Sequence, residues 1–158
     1  MKKAIKKGFS FGLTSGIITT LGLVVGLGAS THSKLAVIAG IITIAVADSL
    51  SDAMGIHISE EADGKKNHNE VWVATGVTFI TKLVFALTFL VPILLLTLDT
   101  AIIVSIAWGL ILIAGFSFYI AWREKQKPWQ TVSEHLILTI FVIVATKYIG
   151  TMIDRWLM

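Results

Sequence analysis

Cysteine is absent from these 158 residues, which excludes disulfide frameworks, thiolate metal sites, iron–sulfur clusters and cysteine nucleophiles. Proline occurs twice, and charged residues make up only 15% of the chain. No polar stretch is long enough to bury a soluble core of its own. The catalytic signatures are missing as well: there is no His-Glu-x-x-His, no Gly-x-Ser-x-Gly and no Gly-rich phosphate loop opening a helix, so no enzyme is expected. The one basic cluster, Lys2 to Lys7, has no nucleic-acid-binding context. What the chain does have is apolar surface: 55% of its residues are hydrophobic and the mean hydropathy is +0.83, far above a soluble domain of this size. An all-α membrane protein is expected, with residues 1–158 forming one transmembrane domain in the lipid bilayer.

A span needs about 20 mainly apolar residues to cross roughly 30 Å of hydrocarbon. Five such runs lie between polar breaks, at about 9–29, 35–58, 71–96, 101–122 and 132–153. The gaps are Ser30 to Lys34, Ser59 to Glu70, Thr97 to Thr100 and Arg123 to Thr131, short enough to make consecutive helices antiparallel neighbours. Lys2, Lys3, Lys6, Lys7, Lys65, Lys66, Arg123, Lys125 and Lys127 then fall on one side, against Lys34 and Arg155 on the other. Positive residues are held in the cytoplasm, which predicts a cytoplasmic N-terminus and an outside C-terminus. Trp72, Trp122, Trp129 and Trp156 mark span ends, where an amphipathic ring prefers the headgroup region.

Lys2 to Lys7, the apolar run and Gly28-Ala29-Ser30 also have the outline of a secretory signal. The run is about 21 residues long, however, against the usual 7 to 15, and is read as the first span. Gly12/Gly16 and Gly22/Gly26 carry the four-residue spacing that lets helices approach closely, which fits a packing helix, at a dimer interface among other places.

Asp48, Asp52, Lys82 and Lys147 fall inside predicted spans, where a charge is costly unless paired, neutralised or hydrated. Asp48 and Asp52 are four apart and share a helix face, which Ser59 and Asp63 extend. Two carboxylates that close do not both ionise easily at low dielectric, so one is expected to hold a proton, as a proton-coupled cation site needs. Lys82 lies about as deep in the third helix as Asp48 in the second, and an ion pair between them is the structural alternative. Lys147 either snorkels or pairs.

At the end of the second helix His57 stands three and four residues from Glu60 and Glu61, a spacing that places an imidazole and a carboxylate on one metal. A solvated membrane rim accounts for the same residues. Glu134 and His135, on the same side, are able to join that acidic cluster.

These motifs taken in order resemble the vacuolar iron transporter family. The run from Phe11 to Thr20, followed by Val24-Val25-Gly26-Leu27-Gly28-Ala29, is similar to the family's first-helix signature. The run from Ala47 to Ser59 is similar to the second-helix pattern Ala-Asp-x-x-Ser-Met-x-x-Gly-(Asp/Glu)-Tyr-x-Ser. Ala74-Thr75-Gly76 with Phe79 and Pro92 resembles the third helix, and Ala145 to Gly150 the fifth. The resemblance implies a homodimeric antiporter that moves ferrous iron or manganese out of the cytosol in exchange for protons. Its path would follow the dimer interface near the first two helices, with Ser15, Thr19, Asp48, Asp52 and Lys82 along it.

Metal would meet Asp48 and Asp52 in the membrane and His57, Glu60 and Glu61 at the cytoplasmic mouth. It would be the substrate, with no resident cofactor, and the cell membrane of a prokaryote would house the protein. Three positions depart from the family pattern. Ser15 replaces its first-helix Asp, Asp52 its second-helix Met, and Ile56 the carboxylate after Gly55; the long Glu-rich insertion is reduced to Ser59 to Glu70. A carboxylate in place of a thioether favours harder cations such as manganese or magnesium. Two other functions fit: a non-transporting membrane protein in which Asp48, Asp52 and Lys82 form a structural network, and a transporter of another substrate.

Overall fold

The computed structural model describes residues 1–64 and 67–157, so Lys65 and Lys66 of the basic face lie outside the described residues. Every regular element among the described residues is a helix: α1 (Lys2–Thr31), α2 (Lys34–Ala62), α3 (His68–Thr88), α4 (Leu90–Leu95), α5 (Leu98–Arg123) and α6 (Pro128–Leu157). With α3 and α4 taken together, five helices are long and apolar enough to cross a membrane.

Four of them run past both apolar boundaries read from the sequence, the first beginning at Lys2 rather than Phe9, while the third starts early, at His68, and ends at Leu95, one residue short of its expected end. Hydropathy sees only the hydrocarbon-crossing part, whereas backbone hydrogen bonding continues as long as nothing stops it. The stops are local. His32 adopts φ 50° after α1, and Ser33 caps α2 by accepting the Ala36 N–H at 3.3 Å. Gly64 takes φ 69° after α2, the left-handed residue that ends a helix most cheaply. After α5, Lys125 at φ 56° lets its own N–H reach the Trp122 carbonyl and that of Gln126 the Ala121 carbonyl, at 3.3 and 2.9 Å, the paired bonds of a Schellman end. Pro128 opens α6, where its missing N–H costs nothing.

The third apolar run, expected as one helix from 71 to 96, is broken at Phe89. Pro92 is the cause, because it has no N–H for the carbonyl four residues back and its ring crowds that carbonyl. Lys34 Nζ then donates to the Leu94 and Leu96 carbonyls at 3.1 and 3.0 Å, placing a cation where a helix end exposes unpaired oxygens.

The residues group into two compact units, Met1–Thr20 with Ile41–Leu90 and Leu21–Gly40 with Val91–Met158. In the first, Gly8, Gly12 and Gly16 form one face of α1 pressed on α3. A Cβ added at Gly8 would lie 2.5 Å from the Ala74 carbonyl oxygen, at Gly12 2.7 Å from that of Thr78, and at Gly16 3.0 Å from that of Lys82. Between apolar helices in lipid there is little hydrophobic drive, so close backbone approach supplies the attraction. These glycines are therefore spent inside the chain, on α3. Gly12→Ala is expected to cost about 1–3 kcal/mol through overpacking, measurable as a lowered midpoint in thermal unfolding of the detergent-solubilised protein; an unchanged midpoint would remove the close contact from the account.

In the second unit the buried face of α5 reads Ala101, Ser105, Gly109, Ile113, Ser117, Ala121, a residue every four positions and mostly small. Leu21 fills the notch at Gly109. Gly22 and Gly26 face Thr146 of α6, again within the chain.

Candidate functional site

Three charged residues deep in the first unit's helices, Asp48, Asp52 and Lys82, come together. Lys82 is 1% exposed in the middle of α3, and its ammonium contacts Asp48 and Asp52 on α2. It also donates to Ser15 Oγ on α1 at 2.9 Å, and Ser15 Oγ donates in turn to Asp52 Oδ2 at 2.6 Å. Asp52 is thus held twice. Asp48 meets Lys82 only as an ion pair, its Oδ2 finding no well-angled donor.

The arrangement follows from helix periodicity. Asp48 and Asp52 sit one turn apart on one face, and Lys82 stands opposite the turn between them, reaching both. Its aliphatic stem lies over Gly16, where any larger residue on α1 would displace it.

Burial within the group is unequal. Lys82 is enclosed, while the side chains of Asp48 and Asp52 keep 28% and 21% of their surface. Alongside them α2 exposes Thr43, Ala47, Ser51, Gly55 and Ser59, small residues at every fourth position, with Val46, Leu50, Met54 and Ile58 beside them. Two carboxylates share one ammonium, so one acid has no cation of its own in the group. Thr19, expected along the same path, uses its hydroxyl on the Ser15 carbonyl at 2.8 Å. Ile56 belongs to an apolar cluster with Ala4 and Ala74.

At the end of α2 the expected metal recruiters separate. His57 Nε2 lies 3.4 Å from Glu61, and its Nδ1 lies 3.0 Å from Thr75 Oγ1. Trp72 packs on the imidazole at 4.6 Å between ring centroids and donates its indole N–H to His68 Nε2 at 2.8 Å. Glu60 turns away, fully buried, to pair with Lys7 of α1, whose ammonium is also 3.8 Å from Asp63. Among the described residues no three His, Asp or Glu side chains are grouped to hold a metal ion. In the second unit His135 Nδ1 is 2.7 Å from Ser117 Oγ, and Glu134 accepts from Gln130 at 3.2 Å.

Sequence reasoning brought Lys82 to the aspartates but missed the Lys7–Glu60 pair. Its signal was present: Lys7 and Ser15 are eight residues apart, as are Asp52 and Glu60, so one antiparallel register makes both contacts.

Fold and site together define an all-helical chain with five helices of spanning length and a buried lysine between two acids at mid-helix. Set against known families, curated proteins and solved structures, the chain matches none.

Proposed function

We propose that the protein is a proton-coupled cation transporter, working as a homodimer in the cell membrane of a prokaryote, with divalent iron or manganese as its substrate. The observation that carries this is the Asp48–Lys82–Asp52 group, in which the ammonium is enclosed and the two carboxylates stay partly open on α2. Carboxylates at that depth do not face lipid; they face a hydrated path or a second protein surface. The small-residue face of α2 beside them supplies close packing for a second copy.

Lys82 acts as a tethered cation that holds the site when no substrate is present. An arriving cation or proton takes over one carboxylate, and the ammonium stays with the other. The likeness to vacuolar iron transporters supplies the substrate class, and the contact between Ser15 and Asp52 supports it. These are two of the three positions that depart from the family pattern, and they touch, so a carboxylate lost from α1 and one gained on α2 amount to a single relocation. His57 with Glu61 meets the cation at the cytoplasmic mouth.

A structural network is the second reading, favoured by the near-complete burial of Lys82. Proteoliposomes containing the purified chain, an internal pH dye and an imposed proton gradient separate the two. Uptake of ferrous iron or manganese with opposing proton movement is the expected result; no flux of either from folded protein overturns the transport reading.

A further inference from the structure

We propose that α6 carries a binding site for the headgroup of an anionic phospholipid, its phosphodiester bridging Lys147 and Arg155. Lys147, Thr151 and Arg155 follow one another at four-residue intervals and line one groove of about 410 Å³ with Val144, Tyr148 and Met152. Lys147 and Arg155 are both exposed, and among the described residues neither has an ion-pair partner. The neighbouring acid, Asp154, is turned to His32 at 3.6 Å.

Depth makes this arrangement informative. Arg155 is in the last turn of α6 beside the exposed Trp156, at the level where rings and headgroups meet. Lys147 lies two turns deeper, about 12 Å along the axis, on an outward surface where a lone ammonium is costly. With no acid beside it among the described residues, its flexible stem carries the ammonium toward the headgroup level, where an anion from outside the chain meets it. A second copy docked two-fold on this face would bring a second Lys147 and Arg155, like charges and no acid. A phosphodiester suits the pair: the guanidinium grips two oxygens and the ammonium a third as a point charge, with Tyr148 lining the same groove.

Further along the same face the residues turn apolar, with Val144, Phe141 and Ile137 all exposed. Cations near the helix end followed by an apolar strip reproduce the polarity of a phospholipid from headgroup to acyl chain. Free phosphate has no use for that strip.

The test is native mass spectrometry of the full chain in detergent, titrated with phosphatidylglycerol, phosphatidylcholine or inorganic phosphate. Phosphatidylglycerol is expected to be retained over phosphatidylcholine, and the Lys147→Gln/Arg155→Gln double variant to weaken that retention about tenfold or more. Lys2→Gln/Lys3→Gln, which removes two exposed charges elsewhere, should leave it unchanged. Circular dichroism checks the fold, and if the double variant does not fold, each single variant should show a partial loss. Equal retention by variants that lack the α6 cations, or an equal loss with the N-terminal pair, overturns the site. So does displacement of the lipid by inorganic phosphate, which would make it a free-anion site, and so does loss of a dimer in place of loss of lipid, which would make the face an interface between copies.

Discussion

Replacing Lys82 by Met is expected to lower the stability of the folded protein by about 3–5 kcal/mol, the usual cost of taking one partner out of a buried ion group. The side chain is 1% exposed and touches both aspartates and Ser15. Met keeps much of the stem that packs over Gly16, so the lost packing is small and the lost charge dominates. Asp48 and Asp52 are then left one turn apart with no cation between them. The triple variant Lys82→Met/Asp48→Asn/Asp52→Asn removes the acids as well and is expected to regain most of the loss, because the uncompensated charges, and not the missing pair, carry the cost. Thermal unfolding of the three proteins in one detergent decides this. A single variant no less stable than the triple would mean that the aspartates do not depend on Lys82.

The meeting of these residues was legible because helices impose a register. His57 contacts Thr75, and stepping seven residues along both antiparallel helices sets Lys82 level with residue 50, midway between Asp48 and Asp52. Hydropathy located the five spanning runs, but it does not measure where backbone hydrogen bonding stops, so the helix ends and the break at Phe89 depended on caps and on Pro92. Which face of each glycine pair meets which helix was not legible: Gly12/Gly16 and Gly22/Gly26 share one spacing, yet the first pair packs on α3 and the second faces α6. Spacing shows that a helix permits close approach, and the choice of neighbour is made by the whole packing. The end of α2 was hardest for a related reason. His57, Glu60 and Glu61 share a spacing compatible with one metal, but a 100° step per residue sends Glu60 inward to Lys7 and leaves Glu61 beside the imidazole.

Asp52→Asn is expected to reduce cation flux in proteoliposomes about 100-fold, Asp48→Asn less, and Ser15→Ala about tenfold, the scale on which a ligand's hydrogen-bonded supports matter. The order follows from the contacts. Asp52 binds both Lys82 and Ser15, whereas Asp48 meets Lys82 alone and without a well-angled hydrogen bond. Asparagine is nearly isosteric and leaves Lys82 one carboxylate in either single variant, so the fold should survive, unlike the case of Lys82→Met. Ser15→Ala tests the hydrogen bond to Asp52 directly: if the serine only fills space, its loss is silent, and if it fixes the Asp52 carboxylate, flux falls. Combined with Asp52→Asn, Ser15→Ala should then add little, because the two side chains act on one oxygen and their effects are not additive. Equal flux in the wild type and in both asparagine variants would assign the aspartates to structure alone. A fall in unfolding midpoint that tracks the contact order, from a protein that moves no cation, would make the same group a structural clamp between α1, α2 and α3.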